Sequence, residues 1–134
     1  MVEKVNTLRA LVVEDDRVIQ TIIKANLESV GINPVVAGNG VEAIEAMKNG
    51  DFDFVLMDIR MPDQDGLDAT RWIRDVEFTN MVRHIPIFAL TTYNSEAHTS
   101  EILQAGMNEH LVKPFRLENL LPLLDKYFPG AVHR

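Results

Sequence analysis

The stretch Phe54-Val55-Leu56-Met57-Asp58 decides how this chain is read. Four apolar residues in succession end on a carboxylate. Ile59, Arg60, Met61, Pro62, Asp63, Gln64, Asp65 and Gly66 follow, and Pro with Gly in so short a space is loop chemistry. An apolar run bounded by such punctuation is a strand leaving a core for the surface. In open parallel sheets, ligands gather at the carboxyl ends of the strands. Asp58 therefore stands where a functional carboxylate belongs. A strand-end Asp that merely caps a turn is the plainer alternative.

Upstream, Leu8 to Val13 is a second β-prone run, with Leu11, Val12 and Val13 apolar in succession, and it ends in Glu14-Asp15-Asp16. Val18, Ile19, Ile22, Ile23, Leu27 and Val30 then recur at helical spacing, with Asp16 as N-cap and Gly31 as stop. Asn33 to Ala37 is a short strand, and Gly38-Asn39-Gly40 turns the chain into a helix faced by Val41, Ile44 and Met47 that stops by Asn49-Gly50. Downstream of Asp58, the spacing predicts a helix from Leu67 to about Phe78, with Leu67, Thr70, Ile73 and Val76 or Glu77 on related faces, and Trp72 packing on it. Ile85 to Leu90 reads as a strand with Pro86 near its start, where a missing N–H is tolerated. Asn94 or Ser95 would cap a helix over Glu96 to Ala105, stopped by Gly106. His110-Leu111-Val112 is a very short strand. Leu117, Leu120, Leu121, Leu124, Tyr127 and Phe128 mark a last helix, either kinked at Pro122 or beginning near it. Strand and helix alternate five times, which predicts an α/β fold: a doubly wound parallel sheet ordered 2-1-3-4-5 with helices on both faces.

At 134 residues, 46% of them hydrophobic, the chain is expected to form one domain over residues 1–134 with its core at about 8–128. A net charge of -7 argues against nucleic acid or an anionic membrane surface as partner, and leaves room for a cation or a basic protein patch. With no cysteine, disulfides, thiol chemistry and Cys-ligated zinc are excluded. Every apolar run is short and interrupted by charge, so a soluble cytoplasmic protein is the expectation.

The strand ends hold the chemistry. Strand one ends in Glu14-Asp15, strand three in Asp58, strand four in Thr91 and strand five in Lys113. The order 2-1-3-4-5 makes strands one and three neighbours, so three carboxylates converge in one crevice beside a hydroxyl and an ammonium. At about 4 Å and an effective dielectric near 20, each like-charged pair costs ~4 kcal/mol. One Lys cannot neutralise three carboxylates. A hard divalent cation can, and Mg²⁺ takes one or two carboxylates, waters and a phosphate oxygen. A carboxylate beside a metal and an ammonium is also a nucleophile toward phosphorus.

Four motifs in order carry a resemblance. Leu11-Val12-Val13-Glu14-Asp15, Leu56-Met57-Asp58-Ile59-Arg60-Met61-Pro62 with Gly66, Leu90-Thr91-Thr92 and Val112-Lys113-Pro114-Phe115 resemble the signatures of the receiver domain of two-component response regulators. The match runs from about Leu8 to Tyr127. The resemblance implies a flavodoxin-like (βα)5 fold and Mg²⁺-dependent phosphoryl transfer from a phosphohistidine to Asp58. It implies that Glu14, Asp15, Asp58 and the backbone carbonyl of Arg60 bind the metal, that Lys113 pairs with the phosphoryl oxygens, that Thr91 moves toward them, and that the Lys113–Pro114 bond is cis. The face of helix four, strand five and helix five would respond. The domain would not be an enzyme toward outside substrates; it would catalyse only its own phosphorylation and dephosphorylation.

Some readings stay open at this level. The acidic triplet allows two registers, of which the one placing the pair on Glu14 and Asp15 is taken. His110 stands where the family usually has Tyr or Phe, and is either a rotamer switch or a solvent-facing strand-end residue. Arg60 and Tyr93 would limit water access to the phosphoryl group. Asp63 and Asp65 read as solvated, and His84, His98 and His133 as surface residues without partners. Residues 105–114 look similar to receivers fused to hybrid sensor kinases, which implies excision from a longer chain and a histidine kinase or His-containing phosphotransfer domain as partner. A non-phosphorylated interaction module on the same fold and a metal-dependent phosphatase are the competing functions. Against the phosphatase, Arg60 stands where a second general acid would be needed.

Overall fold

Apolar runs alternating with helical spacing become five strands and five helices in the computed structural model, which describes residues 7–60, 66–80, 84–92 and 96–132, without the side chains of 96–98. In chain order they are β1 (Arg9–Val13), α1 (Arg17–Ser29), β2 (Asn33–Ala37), α2 (Gly40–Asn49), β3 (Phe54–Asp58), α3 (Gly66–Asn80), β4 (Ile87–Thr91), α4 (Glu96–Ala105), β5 (Glu109–Val112) and α5 (Leu117–Tyr127). The sheet order is β2-β1-β3-β4-β5, and every pairing is parallel.

Parallel strands with crossover helices are covered on both faces, so their side chains have no solvent side. β3 and β4 are buried at every position, and β1 at all but its first. Alternate residues of one strand serve opposite faces. Leu11, Val13, Val55, Met57, Ile87 and Ala89 pack against Ala43 of α2, Leu67 and Ile73 of α3, and Ile102 of α4. Ala10, Val12, Phe54, Leu56, Phe88 and Leu90 pack against Ile23 and Leu27 of α1 and Leu120 and Leu124 of α5. The result is three layers, with every strand C-terminus at one rim of the sheet.

Local signals account for most boundaries. Asp16 Oδ1 accepts from the amides of Val18 (2.8 Å) and Ile19 (3.1 Å), which starts α1, and Gly31 follows its end at φ +81°. Asn39 caps α2 by accepting from Glu42 N at 2.8 Å.

The structure differs from the sequence reading in four places. Val41 is 61% exposed, and α2 turns Gly40 and Ala43 inward instead, because small residues let it lie close to the sheet. β4 begins at Ile87 rather than Ile85. The Ile85 amide is diverted to Glu77 Oε2 (2.7 Å), while the Pro86 carbonyl accepts from Val55 N (3.0 Å). α5 begins at Leu117 and continues through Pro122, so it does not start near the proline. Pro122 lies on the exposed side, so its missing N–H frees a carbonyl to water, while Leu120 and Leu124 remain buried. The aromatic contacts Phe88–Tyr127 (5.4 Å between centroids) and Phe54–Phe128 (6.1 Å) hold its far end. His84, expected to lack a partner, has Nδ1 3.6 Å from Glu77 Oε1. Trp72 packs against the core with Lys48 Nζ 5.8 Å above its ring.

Candidate functional site

The rim where the strands end gathers residues far apart in sequence. β3 is hydrogen-bonded to both β1 and β4, with Val13 opposite Met57 and Leu90 opposite Asp58. The residues just past β1 therefore sit beside Asp58, and Thr91 lies one step beyond it on the other side. Val112 pairs with Thr91, and Lys113 N donates to Thr91 O at 2.7 Å, which brings the Lys113 side chain back across the rim.

Glu14, Asp15 and Asp58 each present a carboxylate oxygen, all within 4.8 Å of one another. Glu14 and Asp58 are each 1% exposed, and Asp15 is exposed. Lys113 Nζ stands 3.1 Å from Asp58 Oδ1 and 3.5 Å from Glu14 Oε1. Thr91 is buried. Asp58 Oδ1 also accepts from the amide of Arg60 at 3.1 Å, so the loop starts out tied to the carboxylate it follows. Gly66 closes the loop: its amide donates to Ile59 O at 3.3 Å, and a Cβ there would collide with the Asp58 carbonyl oxygen. Only glycine lets α3 begin so near that backbone. The Lys113–Pro114 peptide bond is cis. His110 lies half-buried on β5 opposite Ala89. Asp63, Asp65, Tyr93, Asn94, Ser95 and His133 lie outside the described residues, as does the side chain of His98.

Charge is unbalanced here. Burial pushes the Glu14 carboxyl up from 4.5 to about 7, and Asp15 and Asp58 add to the rise against the Asp16 amide and Lys113. Burial would lower the Lys113 ammonium, but Asp58 and Glu14 outweigh it and hold the group above its ordinary value. Glu14 Oε1 is buried without a hydrogen bond. An oxygen in that state beside two further carboxylates is suited to a hard cation. The donor set, all oxygen and partly open to water through Asp15, fits Mg²⁺ better than zinc.

Two features escaped the sequence reading. The Gln20 side chain donates to the carbonyl of Glu14 (2.5 Å), and nothing in the local pattern signals so distant a contact. In the sequence Gly66 is legible only as part of a motif; its reason is the approach to Asp58.

A fold of this topology with such a rim defines a class, and comparison names it. The model of the response regulator receiver domain matches residues 10–125, and the chain belongs to that family. It is 30% identical over 152 residues to a probable histidine kinase 1 of Oryza sativa, a match covering 92% of this chain but only 16% of the length of that relative. Among solved structures it is similar to the receiver domain of a sensor histidine kinase of Pseudomonas aeruginosa, described with a magnesium ion coordinated in its active-site cleft. That likeness has a TM-score of 0.80 and 37% identity, over 91% of this chain and 98% of the other. It is also similar, at TM-score 0.85 and 30% identity over 93% and 91%, to the receiver domain of a Saccharomyces cerevisiae response regulator solved with a histidine phosphotransfer protein. Among the described residues no helix is long and apolar enough to cross a membrane.

Proposed function

We propose that the chain is a phosphoacceptor in a two-component phosphorelay, taking a phosphoryl group from a phosphohistidine onto Asp58. The observation that carries this is the placement of Asp58 Oδ1 3.1 Å from Lys113 Nζ, with Glu14 and Asp15 oxygens within 4.8 Å. The Asp58 carboxylate oxygen would attack phosphorus, the P–N bond to the donor imidazole would break, and the imidazole would leave with a proton from solvent. Lys113 would neutralise phosphoryl oxygens as charge develops. Glu14, Asp15, Asp58 and the Arg60 carbonyl would hold Mg²⁺, whose chemistry is to offset the negative charge gathered at the rim. Water attack on the same phosphorus would later release phosphate and restore the carboxylate, so the domain acts only on itself. The histidine donor would be a kinase or a His-containing phosphotransfer domain, and the reaction would be cytoplasmic, carried by one receiver unit over residues 1–134.

Output follows from Thr91. An attached phosphoryl group adds charge and acceptor oxygens, and a Thr91 hydroxyl drawn toward them would bias α4, β5 and α5 between two packings. Moving such an equilibrium from 1:99 to 99:1 takes about 5.5 kcal/mol, and one charge-assisted hydrogen bond supplies roughly 1.5–3. The shift is therefore partial until a partner selects the active form.

Incubation with acetyl phosphate and Mg²⁺, followed by mass analysis, is the test. One phosphoryl group on Asp58, absent from Asp58→Asn, is expected. No adduct would favour a plain interaction module, and steady turnover a phosphatase.

A further inference from the structure

Gln20 lies one turn inside α1 and reaches back over the start of its own helix. Its Nε2 donates to the carbonyl oxygen of Glu14. The Glu14 amide donates to Ala37 O at 3.0 Å, and Glu14 Oε2 accepts from Asp16 N at 3.1 Å. Glu14 is thus fixed at its nitrogen by β2, at its side chain by the start of α1, and at its carbonyl by Gln20 alone among these contacts. That carbonyl belongs to the peptide plane leading into Asp15. A planar peptide leaves only the torsions beside it free, so fixing its oxygen sets the direction in which the Asp15 side chain departs. Asp15 is the exposed member of the acidic cluster, and burial does not aim it. Gln20 and Asp15 line one polar cleft of about 530 Å³, with Gly38 and Glu42 across from them.

The Gln20 amide does not serve the helix it sits on. α1 is capped by Asp16 and anchored by buried Ile23 and Leu27, and the Gln20 backbone makes the ordinary bond to Asp16 O at 2.9 Å. Without the side-chain donor, the Glu14 carbonyl would turn to water in the adjoining cleft. The helix would stay and the Asp15 carboxylate would lose its aim.

We infer that Gln20 is a positioning residue for divalent-cation binding, setting the affinity of the acidic cluster without touching the ion. This rests on the reading of Glu14, Asp15 and Asp58 as the cation site. The test is calorimetric titration with MgCl₂ of the unsubstituted chain, Gln20→Met (same reach, no donor) and Gln20→Asn (donor kept, reach lost), with melting in chelator measured alongside. Both variants should bind Mg²⁺ severalfold more weakly, with melting temperatures in chelator lowered by no more than the few degrees that one neutral hydrogen bond carries. Thr21→Val, on the same cleft, should bind like the unsubstituted chain. If Gln20→Met does not fold, Gln20→Asn decides. Unchanged affinity in the folded Gln20 variants overturns the inference alone, as does an equal loss in Thr21→Val. An unsubstituted chain that binds no Mg²⁺ overturns the cation site and this inference together.

Discussion

Two polar clusters lie at opposite rims of the same sheet, and they are built on opposite terms. At the N-terminal ends of β4 and β5, Arg74 is engaged through all three of its guanidinium nitrogens. Its Nε donates to Gly106 O, and its two terminal nitrogens to Glu77 Oε1 and Asn108 Oδ1, each at 2.8 Å. Glu77 Oε2 takes the Ile85 amide at 2.7 Å, and Asn108 Oδ1 takes the Ile87 amide at 2.8 Å. Gly106, at φ +105°, has no room for a Cβ, which would stand 2.8 Å from Arg74 Cγ. At the C-terminal ends three carboxylates gather, Lys113 pairs with Glu14 and Asp58, and a buried oxygen of Glu14 has no hydrogen bond. A satisfied polar network fixes a structure, and an unsatisfied one retains binding capacity. The first cluster clasps α3 to the α4–β5 turn; the second leaves negative charge in excess over the Lys113 ammonium.

If that contrast is right, the two rims respond differently to losing a charge. The largest effect belongs to Arg74→Met. It leaves Glu77, with a side chain 10% exposed, without its guanidinium, and should cost about 3–5 kcal/mol in urea unfolding. Binding of Mg²⁺ should survive at temperatures where the variant stays folded. A loss under about 1 kcal/mol would break the contrast.

Next comes pH, with chelator present. The Glu14 carboxyl titrates at about 7 in the fold, against 4.5 as its ordinary value. Between those values the folded chain holds more protons than the unfolded one, so stability is fully present below about pH 4.5 and is lost as pH rises through about 7. The shift corresponds to roughly 3 kcal/mol. Urea midpoints at pH 5 and pH 8 check it. Glu14→Gln should flatten the difference, and so should Mg²⁺, which favours the ionised form. A stability that rises over this range in chelator would contradict the unbalanced rim.

The smallest effect is expected from Asp58→Asn. It removes one of three mutually repelling carboxylates, although it also takes a partner from Lys113. Metal-free stability should therefore change by no more than about 1 kcal/mol, in the same assay that registers Arg74→Met. A cost equal to that of Arg74→Met would mean the two rims are built alike.

Much of this was legible beforehand. Runs such as Leu11-Val12-Val13 and Phe54-Val55-Leu56-Met57 are continuous because both faces of a parallel strand are covered, and that continuity, with helical spacing between, gives the alternation. Asp16 and Gly31 mark the bounds of α1 through interactions local in sequence. The rim residues could be named because chain order and parallel topology already place strand ends together. The exposure of Val41, Val18 and Ile22 could not be read, since periodicity gives a stripe but not which part of it meets the sheet. Nor could the passage of α5 through Pro122, which depends on where solvent lies.

The sequence by itself determined the order of elements, the Asp16 cap and which polar side chains meet at the rim, because each depends on residue chemistry, on neighbours within a few positions or on the order of the strands. Tertiary structure alone decided the pairing of Arg74 with Asn108, the hold of Gln20 on Glu14 and the approach of Gly66 to Asp58. Those contacts exist only once packed layers fix distances that no local pattern encodes.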